Sequence, residues 1–182
     1  LADRSDRELV HEFRTGSSRN KAFDGIVRKY QERLYWHIRK ILISHEDTDD
    51  VLQNTFLKAF EGLNGFREDA SLFTWLYRIA TNESLTFLKR KSRRYFLSIG
   101  DDLNQLENKL ESDVYFNGDE IQMKLQKAIL RLPQKQRLVF NMKYYDELKY
   151  EEISRVLDTS VGALKASYHH ALKKLEKYLT ED

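Results

Sequence analysis

The chain has 182 residues, 41% hydrophobic, 12% aromatic and 33% charged, with seven glycines, one proline and no cysteine. That composition supports a packed core, excludes a disulfide scaffold and a cysteine-ligated zinc site, fits a reducing compartment and favours long helices, because breakers are few. A formal net charge of +2 excludes any bulk electrostatic argument for nucleic-acid binding, so the distribution of charge has to be read along the chain. No apolar run approaches the roughly 20 residues that cross a bilayer, and residues 1–7 lack the apolar stretch of a secretory signal. Neither membrane insertion nor export is expected.

Residues 6–13 read as a short amphipathic helix with Leu9, Val10 and Phe13 on one side, broken at Gly16. Residues 21–43 repeat apolar side chains at helical spacing: Phe23, Ile26, Val27, Tyr30, Leu34, Ile38, Ile41 and Leu42. After a polar break that offers N-caps, residues 47–63 carry a stripe of Val51, Leu52, Thr55, Phe56, Ala59, Phe60 and Leu63. A loop at 66–70 leads to a helix over 71–91, started by Ser71 or a neighbour, with Leu72, Trp75, Leu76, Ile79, Ala80, Leu85 and Leu88 inward. These segments predict a first helical domain, residues 1–95.

Charge then changes abruptly. Residues 84–99 hold five basic residues and no acid; residues 100–120 hold seven acids and one lysine. Residues 94–119 show no sustained periodicity, and 96–120 is expected to be a flexible acidic linker, since loops of that length are unusual inside one domain. A second domain, 121–182, follows. It opens with a helix at 121–132, then Pro133 in the first turn of a helix at 134–144. A turn at 145–148, a short helix at 150–157, a polar turn at 158–160 and a last helix at 161–179 complete it. No segment alternates like a strand. The fold class is all-α, two small helical domains joined by a flexible linker.

Three segments carry functional chemistry. In the first, residues 150–175, a short helix, a three-residue turn and a longer helix have helix-turn-helix spacing. Ile153, Val156 and Leu157 face inward from the first helix, and Val161, Leu164 and Tyr168 or Leu172 from the second. Ser160 caps the second helix, whose N-terminal end is the part a major groove receives. Lys165, Ser167, His169 and Lys173 fall off the apolar stripe and suit phosphates and base edges. A plain helical hairpin has the same spacing.

In the second segment, residues 71–94, an aromatic-rich helix (Phe73, Trp75, Tyr77, Phe87) runs into a cationic end, the combination that unpaired bases and their backbone need. For Trp75 alone core packing is the better account; Phe66, Phe73 and Tyr77, near a loop, are the more persuasive stacking candidates. In the third, residues 47–60, acids in the first turn suit the helix dipole, while Gln53, Asn54 and Lys58 beside an apolar stripe suit a protein-binding face.

Together and in this order, "DTDDVLQNTFLKAF", "FTWLYRIATNESLTFLKRKSRR", "LPQKQRLVFNMKYYDELKYEEISRVL" and "SVGALKASYHHALKKL" resemble the blocks of the extracytoplasmic-function (group 4) sigma factors of the sigma-70 superfamily. The resemblance covers nearly the whole chain apart from the linker and the first residues. It implies a sigma2-like domain (1–95), a linker (96–120) that threads toward the polymerase active-site cleft and RNA exit path, and a sigma4-like helix-turn-helix domain (121–182).

The resemblance also implies partners and roles. The helix at 49–63 docks on the coiled coil of the largest polymerase subunit, through Asp49, Asp50, Gln53, Asn54, Phe56 and Leu57. The segment at 66–94 opens the −10 element and captures a flipped base in the loop 66–73, with Phe66, Phe73, Trp75, Tyr77, Arg78, Asn82, Lys89, Arg90 and Arg93 contacting DNA. The helix-turn-helix reads the −35 element with Ser160, Val161, Lys165, Ser167, Tyr168, His169 and Lys173. Core RNA polymerase, promoter DNA and an anti-sigma factor are the partners, in the bacterial cytoplasm, with no cofactor, no metal and no catalysis of its own. The chain departs from the family pattern where Asn54 replaces a usual Glu, and where Ala163, Ala166, Ser167 and His170 replace a common Thr, Ser, Arg and Arg.

Two other classes bear comparison. A stand-alone helix-turn-helix regulator requires a dimer and a palindromic site. An enzyme requires a catalytic constellation. The five histidines (His11, His37, His45, His169 and His170) fit no metal-ligand spacing, Glu151 and Glu152 suit a helix start, and no glycine-rich phosphate loop occurs.

Overall fold

The computed structural model describes residues 4–16, 18–95, 99–113 and 119–180, with the backbone alone at 94, 95 and 99–102. Within them the chain is helical and contains no strand. It divides into two units, Leu1–Leu85 and Thr86–Asp182.

The first unit begins with α1 (Asp6–Thr15), and Ser5 closes a capping box there: its hydroxyl accepts from the Glu8 amide and Glu8 accepts from the Ser5 amide at 2.7 Å. The Ser5 hydroxyl, which also donates to the Glu8 carboxylate at 2.7 Å, and then the Ser5 amide, with the charge of Arg4 adding a smaller share, hold the Glu8 carboxyl below its usual range. Leu9, Val10 and Phe13 turn inward onto α2 (Arg19–Leu42). A Cβ at Gly25 would lie 2.8 Å from Leu9 Cδ2, so a larger residue there would have to displace the Leu9 side chain where α1 meets α2. Ile43 ends α2 in the left-handed region (φ 62°), a costly conformation for a β-branched residue, and its side chain is buried in compensation.

Ser44 caps α3 (His45–Gly62) by accepting from the Asp47 amide. Phe60 of α3 meets Phe13 and Phe23 edge-on at 5.2 and 5.0 Å, and the Arg19 guanidinium lies over both Phe13 and Phe60. A single 3-10 turn (Leu63–Gly65) and a loop lead to α4 (Leu72–Tyr95), whose start is capped where Ser71 Oγ accepts from the Thr74 amide at 3.1 Å. One buried polar contact ties α2 to α4. His37 Nε2 is 2.8 Å from Thr81 Oγ1, and the His37 ring stacks on Tyr77 at 4.0 Å.

In the second unit the structure departs from expectation. The acidic stretch read as an irregular linker contains a 14-residue helix, α5 (Ile99–Ser112). Leu110 is fully buried, and Glu107 pairs with Arg131 at 3.4 Å and Glu111 with Lys127, both on or just beyond α6 (Glu120–Leu130). The apolar signal is sparse, and it becomes a helix face only when α6 is there to cover it.

Pro133 immediately precedes α7 (Gln134–Tyr144), at the cap position rather than inside the first turn. Arg137 is nearly buried. Desolvation lowers its proton affinity, and it donates to Leu130 O at 3.3 Å, satisfying a carbonyl at the end of α6. Then come α8 (Tyr150–Leu157) and α9 (Val161–Thr180). Ala128, Ile129, Leu132, Phe140, Ala171 and Leu175 form the core that these helices share, with Leu125, Tyr145 and Tyr168 packed against it.

Candidate nucleic-acid interface

The helix-turn-helix is built as its spacing predicts. Ile153 and Val156 of α8 and Leu164 of α9 are buried. Asp158 takes the left-handed conformation (φ 49°, ψ 49°) that reverses the chain, and Ser160 Oγ accepts from the Ala163 amide at 3.3 Å. With Leu164, Ala171 and Leu175 inward, the exposed side of α9 presents Gly162, Ala163, Lys165, Ala166, His169, His170 and Lys173. The first turns of this face are small, so a duplex can come close to the helix backbone; the cations follow one turn later.

Two expectations for α9 need correction. Tyr168 is half-buried, its ring stacked on Phe140 (5.9 Å, 18°). Desolvation pushes its phenol up, with Tyr150 and Tyr144 adding to the effect. It belongs to the core side rather than to the DNA-facing side. Leu172, its alternative as a core residue, is 43% exposed. Ser160 is exposed but serves as the cap, and Val161 and Ser167 are half-buried.

On α4 the expected ordering of the aromatics inverts. Phe66, Phe73 and Tyr77 are core residues, 6%, 9% and 2% exposed, with rings already in contact: Phe73 with Tyr30 and Tyr77, and Phe66 with Trp75. Rings so enclosed do not offer the free faces that base stacking needs. Trp75, expected in the core, is the half-exposed one. Arg78, Asn82, Lys89, Arg90 and Arg93 are all exposed. Trp75, Arg78, Asn82, Lys89 and Arg93 fall on one side of the helix by its 3.6-residue period. The loop before α4 is held from α1. Arg14 donates to the carbonyls of Phe66 and Leu63 and pairs with Glu68, which sits at φ 56°.

On α3, Asp49, Asp50, Gln53, Asn54 and Lys58 are exposed around Leu57, which is 57% exposed, while Phe56 is half-buried against Phe23. His45 links Asp49 (3.4 Å) to the Tyr35 hydroxyl (2.8 Å) beside this face. The exposed leucine is ringed by amides and carboxylates, and Lys58 beside it pairs with Glu83. No group of three or more metal-ligating side chains occurs among the described residues, and no helix among them is long and apolar enough to cross a membrane.

The sequence reading missed Arg14, which acts between elements far apart in the chain, where no periodicity along one helix reveals the partner.

Comparison with known proteins agrees with this layout. Residues 26–94 match the family model described as Sigma-70 region 2, and residues 122–175 that described as Sigma-70, region 4. The RNA polymerase sigma-H factor of Pseudomonas aeruginosa is 29% identical over 98% of this chain and 96% of its own. The ECF RNA polymerase sigma factor SigW of Bacillus subtilis is 30% identical over 88% and 90%. Among solved structures, CnrH in complex with the cytosolic domain of CnrY superposes with a TM-score of 0.70 at 25% identity, covering 97% of this chain and 98% of that one. The sigma factor RpoE of Bartonella quintana, solved with the anti-sigma factor NepR, shares the fold, with a TM-score of 0.68 at 19% identity over 89% and 99%.

Proposed function

The chain belongs to the extracytoplasmic-function RNA polymerase sigma factors of the sigma-70 family, and on that premise we propose how its surfaces divide the work of promoter-specific initiation. Residues 1–95 dock on core polymerase through the Leu57-centred face of α3 and hold the opened −10 strand along Trp75, Arg78, Asn82, Lys89 and Arg93. Residues 121–182 read the −35 duplex with the outward side of α9, and residues 96–120 connect the two. The polymerase performs the chemistry in the cytoplasm, and this chain supplies address and strand opening without catalysis of its own. A partner that covers these faces holds it inactive, in the manner of the anti-sigma factors.

The observation that carries this reading is the presence in one chain of a cationic, Trp-bearing helix face and a helix-turn-helix with an exposed, small-then-basic recognition helix. Unstacking a base step costs a few kcal/mol, and stacking on protein returns about 1–3 kcal/mol per base, so opening requires the additional binding that polymerase docking supplies. The dimeric regulator is not favoured, since the relatives are sigma factors. The test is run-off transcription with core polymerase on a promoter library. Start sites that appear only when the chain is added support the reading; unchanged start sites, or failure to co-purify with core, refute it.

A further inference from the structure

We propose that Arg14 is a positioning residue for strand opening: from the last turn of α1 it sets, through the backbone of residues 63–68, where the Trp75 indole stands. The inference rests on the proposed role of Trp75 at the −10 strand. Arg14 itself is assigned no contact with DNA.

The route is short. Arg14 Nη2 donates to the carbonyls of Phe66 and Leu63, the latter at 3.4 Å, and Nη1 pairs with Glu68 Oε1 at 3.4 Å. One side chain of α1 thus grips Leu63, Phe66 and Glu68, all in the segment between α3 and α4. Local bonds close the 3-10 turn, where the Phe66 amide donates to Leu63 O at 3.3 Å, and cap α4 at Ser71. Arg14 ties the stretch between them to α1. Glu68, its ion-pair partner, holds φ 56°, a backbone conformation that persists outside glycine only where the surroundings fix it.

The same segment builds the seat of Trp75. The Phe66 ring lies 5.2 Å from the indole, tilted by 43°. The indole also packs against Gly62 at the end of α3, where an added Cβ would lie 3.3 Å from Trp75 Cζ2. Trp75 is half-exposed, so these neighbours decide how its open side is presented.

Chemistry favours arginine for the task. Its planar, permanently charged fork carries five donors in fixed geometry, enough to hold two carbonyls and a carboxylate at once. An indole already fixed by its neighbours loses less freedom when a base stacks on it. Without Arg14 the segment can shift, and the Phe66 ring with it. The effect falls on the placement of Trp75, and so on strand opening rather than on docking to core polymerase.

The experiment uses the full chain, alone and in holoenzyme with core polymerase. Trp36 and Trp75 are its two tryptophans, so Trp36→Phe leaves Trp75 as the sole indole emitter. In that background Arg14→Gln is expected to shift Trp75 emission to the red and raise its quenching by acrylamide, with helix content unchanged. In holoenzyme, Arg14→Gln is expected to lower the opening equilibrium about tenfold, the order of one lost stacking contact, read by permanganate at −10 thymines, with affinity for core unchanged. A double-mutant cycle decides the route: in a Trp75→Ala chain, Arg14→Gln adds no further loss. Unchanged Trp75 emission, additive losses, unchanged opening, or a loss matched by weaker core binding overturns the positioning role and leaves that of Trp75 intact. Full opening with Trp75→Ala alone overturns both. Arg14→Lys, which keeps the charge but not the fork, carries the same cycle if Arg14→Gln does not fold.

Discussion

The two units treat aromatic side chains in opposite ways. The first encloses the rings around its loop: Phe66, Phe73 and Tyr77 interlock with Tyr30, Trp75 and His37, while Trp75 keeps an open side. The second leaves its tyrosines at the margin. Tyr144 is 54% exposed, and Tyr150 and Tyr168 are half-buried with lysines around Tyr150. The long helices of the first unit have enough mutual surface to cover large rings. The second covers Phe140 in the same way but leaves Tyr144, Tyr150 and Tyr168 at the edge of its core. Aromatic residues beside a basic block therefore do not by themselves make a stacking surface; the packing around them decides whether they are used up in the core.

The largest effect that can break this contrast is at Tyr77. Tyr77→Ala is expected to cost about 3–5 kcal/mol of stability, as for other large buried rings, read from denaturant unfolding of the full chain. Stability near wild type with a selective loss of −10 opening would return Tyr77 to the role its place in the sequence suggests.

Trp75→Ala is expected to do the reverse. It should take away about 1–3 kcal/mol of stabilisation per stacked base while costing less stability than Tyr77→Ala. Permanganate footprinting of unpaired thymines at the −10 element in the holoenzyme measures this. Full opening with the variant would leave α4 without an aromatic contact to the strand.

The smallest expected effect lies in the second unit and depends on pH. Burial raises the phenols of Tyr145 and Tyr168 above their ordinary value, with Tyr144 adding to both, Tyr150 adding at Tyr168, and a hydrogen bond from Gln126 opposing the rise at Tyr145. A raised folded-state value means the native form retains its protons longer than the unfolded chain. The stabilisation is complete below the unfolded value of about 10 and is lost as pH rises through the folded values. Thermal stability should therefore fall above about pH 10, and Tyr168→Phe should flatten that fall. An unchanged profile in Tyr168→Phe would mean that its ring is wetter than its stacking on Phe140 implies.

Much of this was legible in the residues. Among the described residues the apolar periods placed eight of the nine α-helices, and α7 and α8 agree with their sequence boundaries to the residue. The helix-turn-helix was legible because its turn chemistry is local: Asp158 reverses the chain and Ser160 caps the next helix within three residues. The exposed cations of α4 and the exposed acids and amides of α3 followed from the same period. Helix α5 was not legible, because its leucines are few and it packs against α6, which lies beyond the next break in the chain.

The sequence by itself determined the helical class, the order of the elements, the turn between α8 and α9 and the polar faces of α3, α4 and α9, since periodicity and capping act over a few residues. Tertiary packing alone decided which aromatic rings stayed accessible, that Tyr168 rather than Leu172 packs against the core, and that Arg14 holds the loop before α4. Each of those outcomes depends on which helix arrives to cover a side chain. Such contacts join residues far apart along the chain, where a one-dimensional pattern carries no distance.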